Sequence, residues 1–270
     1  MTTRGSAPAR LRVLITGGAK GLGRSFAEEL GRAGAFVVIT GRDRQALLAA
    51  RDEMRAEGIV VDAVAADSTD RAAVTSAVEH VERSAGGLDV LVNNAGLAGP
   101  IGNTWEVDDD EWWQAMEVNV RGTMLTSTAA LPHMVRRGAG RIINIVSHAG
   151  VYRWPRATAY SVSKAAVIKL TENLAAETRE HGVTVLSYHP GLVEAGITLS
   201  SLARAEAGGN PWEKRIAAWY EVERTAGRTT PIARAAAVLR RLAEGAADHR
   251  SGEYITVEDV LEPSRVAAAE

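Results

Sequence analysis

The sequence contains no cysteine. Disulfides, thiol nucleophiles and cysteine-bound metals are thereby excluded, and the composition suits a reducing compartment. Charge of one sign is scarce too: 31 lysines and arginines against 33 aspartates and glutamates leave a formal net charge of -2. A chain so balanced offers no electrostatic grip on nucleic acid or an anionic membrane. No apolar run reaches the roughly 18 to 20 residues of a membrane span. Residues 1–10 are polar and do not read as a signal peptide. Linkers, internal repeats and low-complexity blocks are missing as well. The expectation is a cytoplasmic chain with a flexible tail at 1–10, one domain over 11–258 and a second tail at 259–270.

The 270 residues, 46% hydrophobic and 24% charged, suit one large α/β domain. Short β-branched runs occur at 11–16, 36–40, 60–65, 88–92, 141–146 and 183–188, with a last one at 253–257. Several are almost continuously apolar, as in strands buried on both faces of a parallel sheet. Helical patterns at 25–33, 44–57, 71–84, 111–137 and 165–180 lie between them. The alternation predicts a doubly wound, mostly parallel seven-stranded sheet with helices on both faces. Asp108, Asp109 and Asp110 suit a helix start, and Gly138 and Gly182 suit helix ends. Thr230 with Pro231 reads as a cap plus first-turn proline, with Gly245 ending that helix. Pro132 should kink its helix or end it early. The stretch 192–227 is long for a connection and reads as a binding lid or as a helical hairpin packed by its tryptophans; both can hold at once.

The first strand runs into Thr16, Gly17, Gly18, Ala19, Lys20, Gly21, Leu22 and Gly23, and a helix follows. Glycine turns tightly and admits a phosphate close to the backbone. The helix start then offers free N–H groups and a positive dipole end to a pyrophosphate. In NAD binders an acidic residue usually ends the second strand and bonds the ribose. Here Gly41 stands there, followed by Arg42, whose guanidinium suits a 2′-phosphate; Lys20 adds a second cation. The charge logic predicts NADP(H).

Tyr160 and Lys164 are four apart, so a helix carries them on one face. A free tyrosine has a pKa of about 10. A neighbouring ammonium should lower it and make the phenol a usable acid and base. Ser147 follows the strand at 141–146, at the carboxyl edge where such sheets bind ligands. Asn93, Asn94, Ala95 and Gly96 follow the strand at 88–92, and their small members would let backbone approach a cofactor. Asn119 sits mid-helix, where asparagine has poor propensity, which suggests a task for its side chain.

Together these residues resemble the short-chain dehydrogenase/reductase family in its single-domain branch, with a Rossmann fold. The resemblance rests on Thr16 to Gly23, Asp67, Asn93 to Gly96, Asn119, Ser147, Tyr160, Lys164, Pro190 and Gly191, in that order. It implies an NADP(H)-dependent enzyme, with no metal, passing hydride between the nicotinamide and a carbonyl carbon. Tyr160 would donate or accept the proton, and Lys164 would lower its pKa and bind the nicotinamide ribose. Ser147 would orient the carbonyl, and Asn119 would hold a water linking Lys164 to solvent. Asp67 would contact the adenine and Asn93 the adenosine side. Gly17, Lys20, Gly21, Leu22, Gly23, Arg42, Ala95, Gly96, Pro190, Gly191 and Val193 complete the implied cofactor set. A homodimer or homotetramer is implied, although the last strand lacks the paired glycines common in family tetramers.

The family's threonine after the Pro-Gly pair falls on Ala195 here, with Thr198 as a possible substitute. The substrate pocket is expected along 96–101, 148–154 and 190–197 and the loop beyond. Tyr152, Trp154, Trp212 and Trp219 there would favour an apolar or aromatic-bearing ketone, while Trp112 and Trp113 read as core. His148, beside Ser147, reads as an extra acid or substrate ligand, or simply as a loop residue. Three rival readings stand beside this small-molecule ketoreductase. They are an NAD-linked alcohol dehydrogenase of the same fold, a non-catalytic NADP(H)-binding sensor, and a nucleotide-sugar epimerase or dehydratase.

Overall fold

The apolar runs form one parallel sheet in the structure, a computed structural model that describes residues 10–261. Its strands are β1 (Arg12–Thr16), β2 (Phe36–Gly41), β3 (Val61–Ala65), β4 (Val90–Asn93), β5 (Gly140–Ile145), β6 (Val183–His189) and β7 (Tyr254–Thr256). They lie in the order β3-β2-β1-β4-β5-β6-β7. The order reverses between β1 and β4, whose pairing sets Val13 against Val90 and Ile15 against Val92. At such a switch point the loops beyond the carboxyl ends part and leave a crevice.

Helices cover both faces, as the strand–helix alternation requires. On one face, α1 (Gly21–Arg32), α2 (Arg44–Ala56) and α9 (Ile232–Ala243) bury Phe26, Leu30, Leu47, Met54, Val238 and Leu242 against the central strands. On the other, α3 (Arg71–Ala85), α5 (Gly122–Arg137) and α6 (Thr158–Thr178) bury Val78, Val81, Ala130, Met134 and Leu174. No described helix is long and apolar enough to cross a membrane.

Several local expectations shift. The single helix expected at 111–137 is three pieces: α4 (Asp109–Met116), a π-helical turn at Glu117–Arg121, and α5. Asn119 sits inside the π turn, a form that recurs at functional sites. Pro132 neither ends nor shortens α5, which continues to Arg137. Burial of Ala130 and Met134 on either side outweighs the roughly 3 kcal/mol that an interior proline costs. Pro231 is the N-cap of α9, not its first residue; the Thr230 amide instead donates to Leu192 O at 2.8 Å. The stretch 192–227 holds α7 (Ile197–Glu206) and α8 (Pro211–Thr225), a helical hairpin. A short helix, α10 (Val257–Leu261), occupies the first residues of the expected C-terminal tail. The rest of that tail, and residues 1–9, lie outside the described residues.

The sheet's two outer strands share a detail. On β3 the Ala63 amide donates to Asp62 Oδ1 at 2.8 Å. At the end of β7 the Thr256 amide donates to Asp259 Oδ2 at 2.7 Å.

Candidate active site

The glycine loop is braced from β4. Thr16 Oγ1 accepts from the Asn94 and Ala95 amides, each at 3.0 Å, and Asn94 Nδ2 donates to Thr16 O at 2.9 Å. Gly17 has a φ of 67°, the left-handed region that a side chain resists. A Cβ on Gly23 would lie 2.4 Å from both Asn94 Nδ2 and Gly17 O. Sequence reasoning gave Thr16 and Asn94 no task of their own, yet they hold the loop open.

Helix α1 follows with no side chain capping its first turn, whereas α2, α3 and α4 are capped by Asp43, Asp70 and Asp108. The first-turn amides of α1 therefore face the crevice unclaimed by any cap, and the helix dipole makes that end attractive to an anion. Exposed Lys20 and Arg42 stand on the same crevice. Asp67 is there too: burial raises its carboxyl pKa, but hydrogen bonds from the Thr69 amide and hydroxyl and the charge of Arg42 hold it below the usual range. These features fit a nicotinamide dinucleotide.

The crevice is a cleft of about 960 Å³. Its wall includes Gly17, Lys20, Leu22, Gly23, Arg42, Asp67, Ala95, Gly96, Ser147, Tyr160, Lys164, Pro190, Gly191 and Val193. Thr198 lies on it as well, as does Ala195. Gly21, Asn93 and Asn119 do not; Gly21 instead packs under the start of α7, where an added Cβ would meet Gly196 N at 3.0 Å.

Ser147, Tyr160 and Lys164 converge on this cleft. Ser147 ends β5 and accepts from the Ala149 amide at 3.2 Å, starting a one-turn 3-10 helix. Ser161 Oγ donates to Ala149 O at 2.6 Å and pins that turn to α6. Lys164, only 5% exposed, donates from Nζ to Ile145 O at 2.8 Å. Burial lowers its pKa to about 8. Burial pushes the Tyr160 phenol above its ordinary value, and a hydrogen bond with Ser147 works the other way. Lys164 Nζ stands 5.6 Å from the Tyr160 ring centroid.

Two asparagine side chains make contacts within the protein. Asn93 is buried; its Nδ2 donates to Asn144 Oδ1 at 2.8 Å and Ser127 Oγ at 3.1 Å, and its Oδ1 accepts from Thr126. Its side chain thus braces β4 to β5 and α5. The Asn119 side chain is likewise engaged: Oδ1 accepts from the Leu97 amide at 2.8 Å, and Nδ2 donates to Leu97 O and Ser163 Oγ, each at 2.8 Å. It ties the π turn to α6, one residue from Lys164.

The aromatic pocket is also corrected. Tyr152, Trp154, Trp212 and Trp219 do not line the cleft. Trp154 meets Trp219 edge-on at 5.0 Å, and the Arg156 guanidinium lies over the Trp212 ring at 4.2 Å. These contacts dock the α7–α8 hairpin onto the loop before α6. His148 is off the wall too, its ring 4.1 Å from that of His189, which sequence reasoning passed over and which does line the cleft. Trp113, expected in the core, is 61% exposed.

The short chain dehydrogenase family pattern matches residues 12–205. A short chain dehydrogenase of Pseudocercospora fijiensis is 39% identical over 184 residues, covering 67% of this chain and 59% of that protein. A gluconate 5-dehydrogenase of Gluconobacter oxydans is 34% identical over 221 residues, covering 80% of this chain and 84% of its own. Among solved structures, a gluconate 5-dehydrogenase from Burkholderia cenocepacia in complex with NADP and tartrate superposes with a TM-score of 0.80 at 29% identity, covering 91% of this chain and 92% of that one. Actinorhodin polyketide ketoreductase with NADPH reaches 0.83 at 29% identity, covering 93% and 97%. An NAD+-bound xylitol dehydrogenase reaches 0.83 at 26% identity, covering 93% and 98%. A family pattern spanning most of the chain, on a doubly wound sheet whose cleft holds the serine, tyrosine and lysine expected of it, makes this chain a member of the short chain dehydrogenase family.

Proposed function

We propose that this chain is an NADP(H)-dependent oxidoreductase that interconverts a ketone and a secondary alcohol. The observation that carries the reading is the convergence of Ser147, Tyr160 and Lys164 on the cleft into which the glycine loop and the uncapped end of α1 open. A bound nicotinamide supplies the hydride in reduction and takes it up in oxidation. The chain's residues manage the proton and the alignment. Ser147 Oγ, at the end of β5, donates to the carbonyl oxygen and fixes its direction. Tyr160 Oη gives its proton to that oxygen as the carbon gains the hydride, so the ketone leaves as an alcohol. Lys164, held by Ile145 O, positions the sugar of the cofactor and replenishes the proton.

The choice of NADP(H) rests on Gly41, Arg42 and Lys20, because fold neighbours carry either nicotinamide cofactor. Arg42→Ala is expected to raise KM for NADPH by roughly 10- to 100-fold, the loss of a charge-assisted contact, and to leave KM for NADH nearly unchanged. Steady-state kinetics with both cofactors checks this; equal changes for the two would remove the 2′-phosphate role from Arg42. The reaction itself is tested by incubating purified protein with NADPH and, separately, NADH against a panel of ketones. Faster consumption of NADPH supports the reading. Cofactor that binds but is never consumed, across ketones and alcohols alike, would favour the sensor alternative.

A further inference from the structure

The outer half of the cleft is walled by two helices that present polar groups. Ile197, Ser200, Ser201 and Arg204 of α7 all line it, the i, i+3, i+4, i+7 stripe of one helix face. A stripe turned inward is ordinarily apolar; here three of its four side chains carry hydroxyl or guanidinium groups. Helix α4 adds Gln114 to the same wall. The side chains of Ser201 and Gln114 take no hydrogen-bond partner among the described residues, so their polar atoms are available.

Arg204 is fixed in place. Its Nε and Nη2 both donate to Glu213 Oε1, at 2.9 and 2.6 Å, and Glu213 is only 7% exposed. Glu213 Oε2 in turn accepts from the Asn210 amide at 2.8 Å, closing the capping box of α8. The guanidinium is thereby held across the hairpin, and Nη1 donates to Gly99 O at 3.4 Å, which leaves its second N–H without a partner among the described residues. Gly99 packs close to α4 and α6, where an added Cβ would lie 3.0 Å from Ala115 Cβ and 2.9 Å from Ala159 Cβ. Gly99 thus stands between Arg204 of α7 and Ala115 of α4. Deeper on the wall, His189 has a buried Nδ1 without a protein partner. The large aromatic side chains that would hold an apolar ring are spent instead on docking the hairpin.

We infer that the substrate is an oxygen-rich carbonyl compound or its alcohol, of the sugar or sugar-acid type. A distal hydroxyl or carboxylate oxygen is taken by Arg204 Nη1, and intermediate hydroxyls meet Ser201 and Gln114. This rests on the reaction proposed at Tyr160. A preorganised guanidinium that keeps one uncommitted N–H binds an oxygen at little entropic cost. The shared chemistry is an oxygen acceptor, which a neutral sugar and a sugar acid both supply.

The test uses the full chain with NADPH against ketohexoses, keto sugar acids and the apolar bicyclic ketone α-tetralone. The expected result is a higher kcat/KM on an oxygen-rich compound than on α-tetralone. Arg204→Met should raise KM for that compound by roughly 10- to 100-fold with kcat changed far less and NADPH affinity retained. Gln114→Leu, at an exposed position that carries no fold risk, should raise the same KM by roughly 3- to 10-fold. A preference for keto acids assigns the Arg204 contact to a carboxylate, and equal use of ketohexoses assigns it to a hydroxyl; either supports the inference. A higher kcat/KM on α-tetralone, or both variants leaving KM unchanged, overturns it. If nothing is turned over, binding to the NADPH-loaded protein is read by NADPH fluorescence. Saturable binding of a keto sugar acid or ketohexose that weakens in Arg204→Met sinks the proposed reaction and keeps this inference, and no such binding overturns the inference.

Discussion

Tyr160→Phe lowers kcat by about 10²- to 10⁴-fold, the usual contribution of a positioned acid or base, while NADPH binds as before. The substitution removes one oxygen. The ring, its place on α6 and its distance to Lys164 are retained, so the loss reads proton transfer and not a collapsed site. The pH profile adds a second reading. Burial raises the Tyr160 pKa, so the phenol stays protonated through neutral pH. Reduction, which needs the protonated form, should therefore hold its rate across neutral pH. Oxidation, which needs the phenolate, should gain as pH rises. Rates and a binding titration on wild type and variant check both statements. Near-normal turnover in Tyr160→Phe would take the proton away from this residue.

Asn93→Leu destabilises the chain by about 2 to 4 kcal/mol, because buried polar groups lose their partner at a cost of roughly 1 to 3 kcal/mol each. Asn144 Oδ1 loses its donor, and Ser127 and Thr126 lose their partner in Asn93. Thr126 keeps bonds to Gly122 O and Thr123 O, so its share is small. Denaturant unfolding measures the change. A variant with unaltered stability and weakened NADPH binding would return Asn93 to the role that the family resemblance implies.

Asn93 and its neighbour show why residue type was more legible than residue task. Successive side chains point to opposite faces at the end of a strand. Asn93 turns under the sheet and Asn94 turns to the glycine loop. The pair of letters announces polar work at this edge without saying which letter does which. The strands themselves were readable, since burial on both faces leaves a continuous apolar signature. Even so, Leu88 falls before β4, because an apolar residue can be buried without joining the ladder. The start of α6 was legible from the four-residue spacing of Tyr160 and Lys164, although the apolar helical pattern begins only at Ala165. Ser161 and Ser163 add no periodic signal of their own, yet a buried site gives polar side chains a reason to stand in a helix. The tryptophans of 192–227 marked an unusual segment correctly, but nothing in their spacing tells a wall from a dock.

The two aspartates at the sheet's margins bear on how the molecule survives crowding. An unpaired strand at the rim of a sheet offers its amides to any extended chain that passes, which is how ordered aggregates begin. Here Asp62 already occupies the Ala63 amide and Asp259 the Thr256 amide, and each brings a charge to its margin. With only three residues, β7 also gives a short template. A newcomer would have to displace a carboxylate to dock at either rung. Self-association by sheet extension is thereby disfavoured at both rungs.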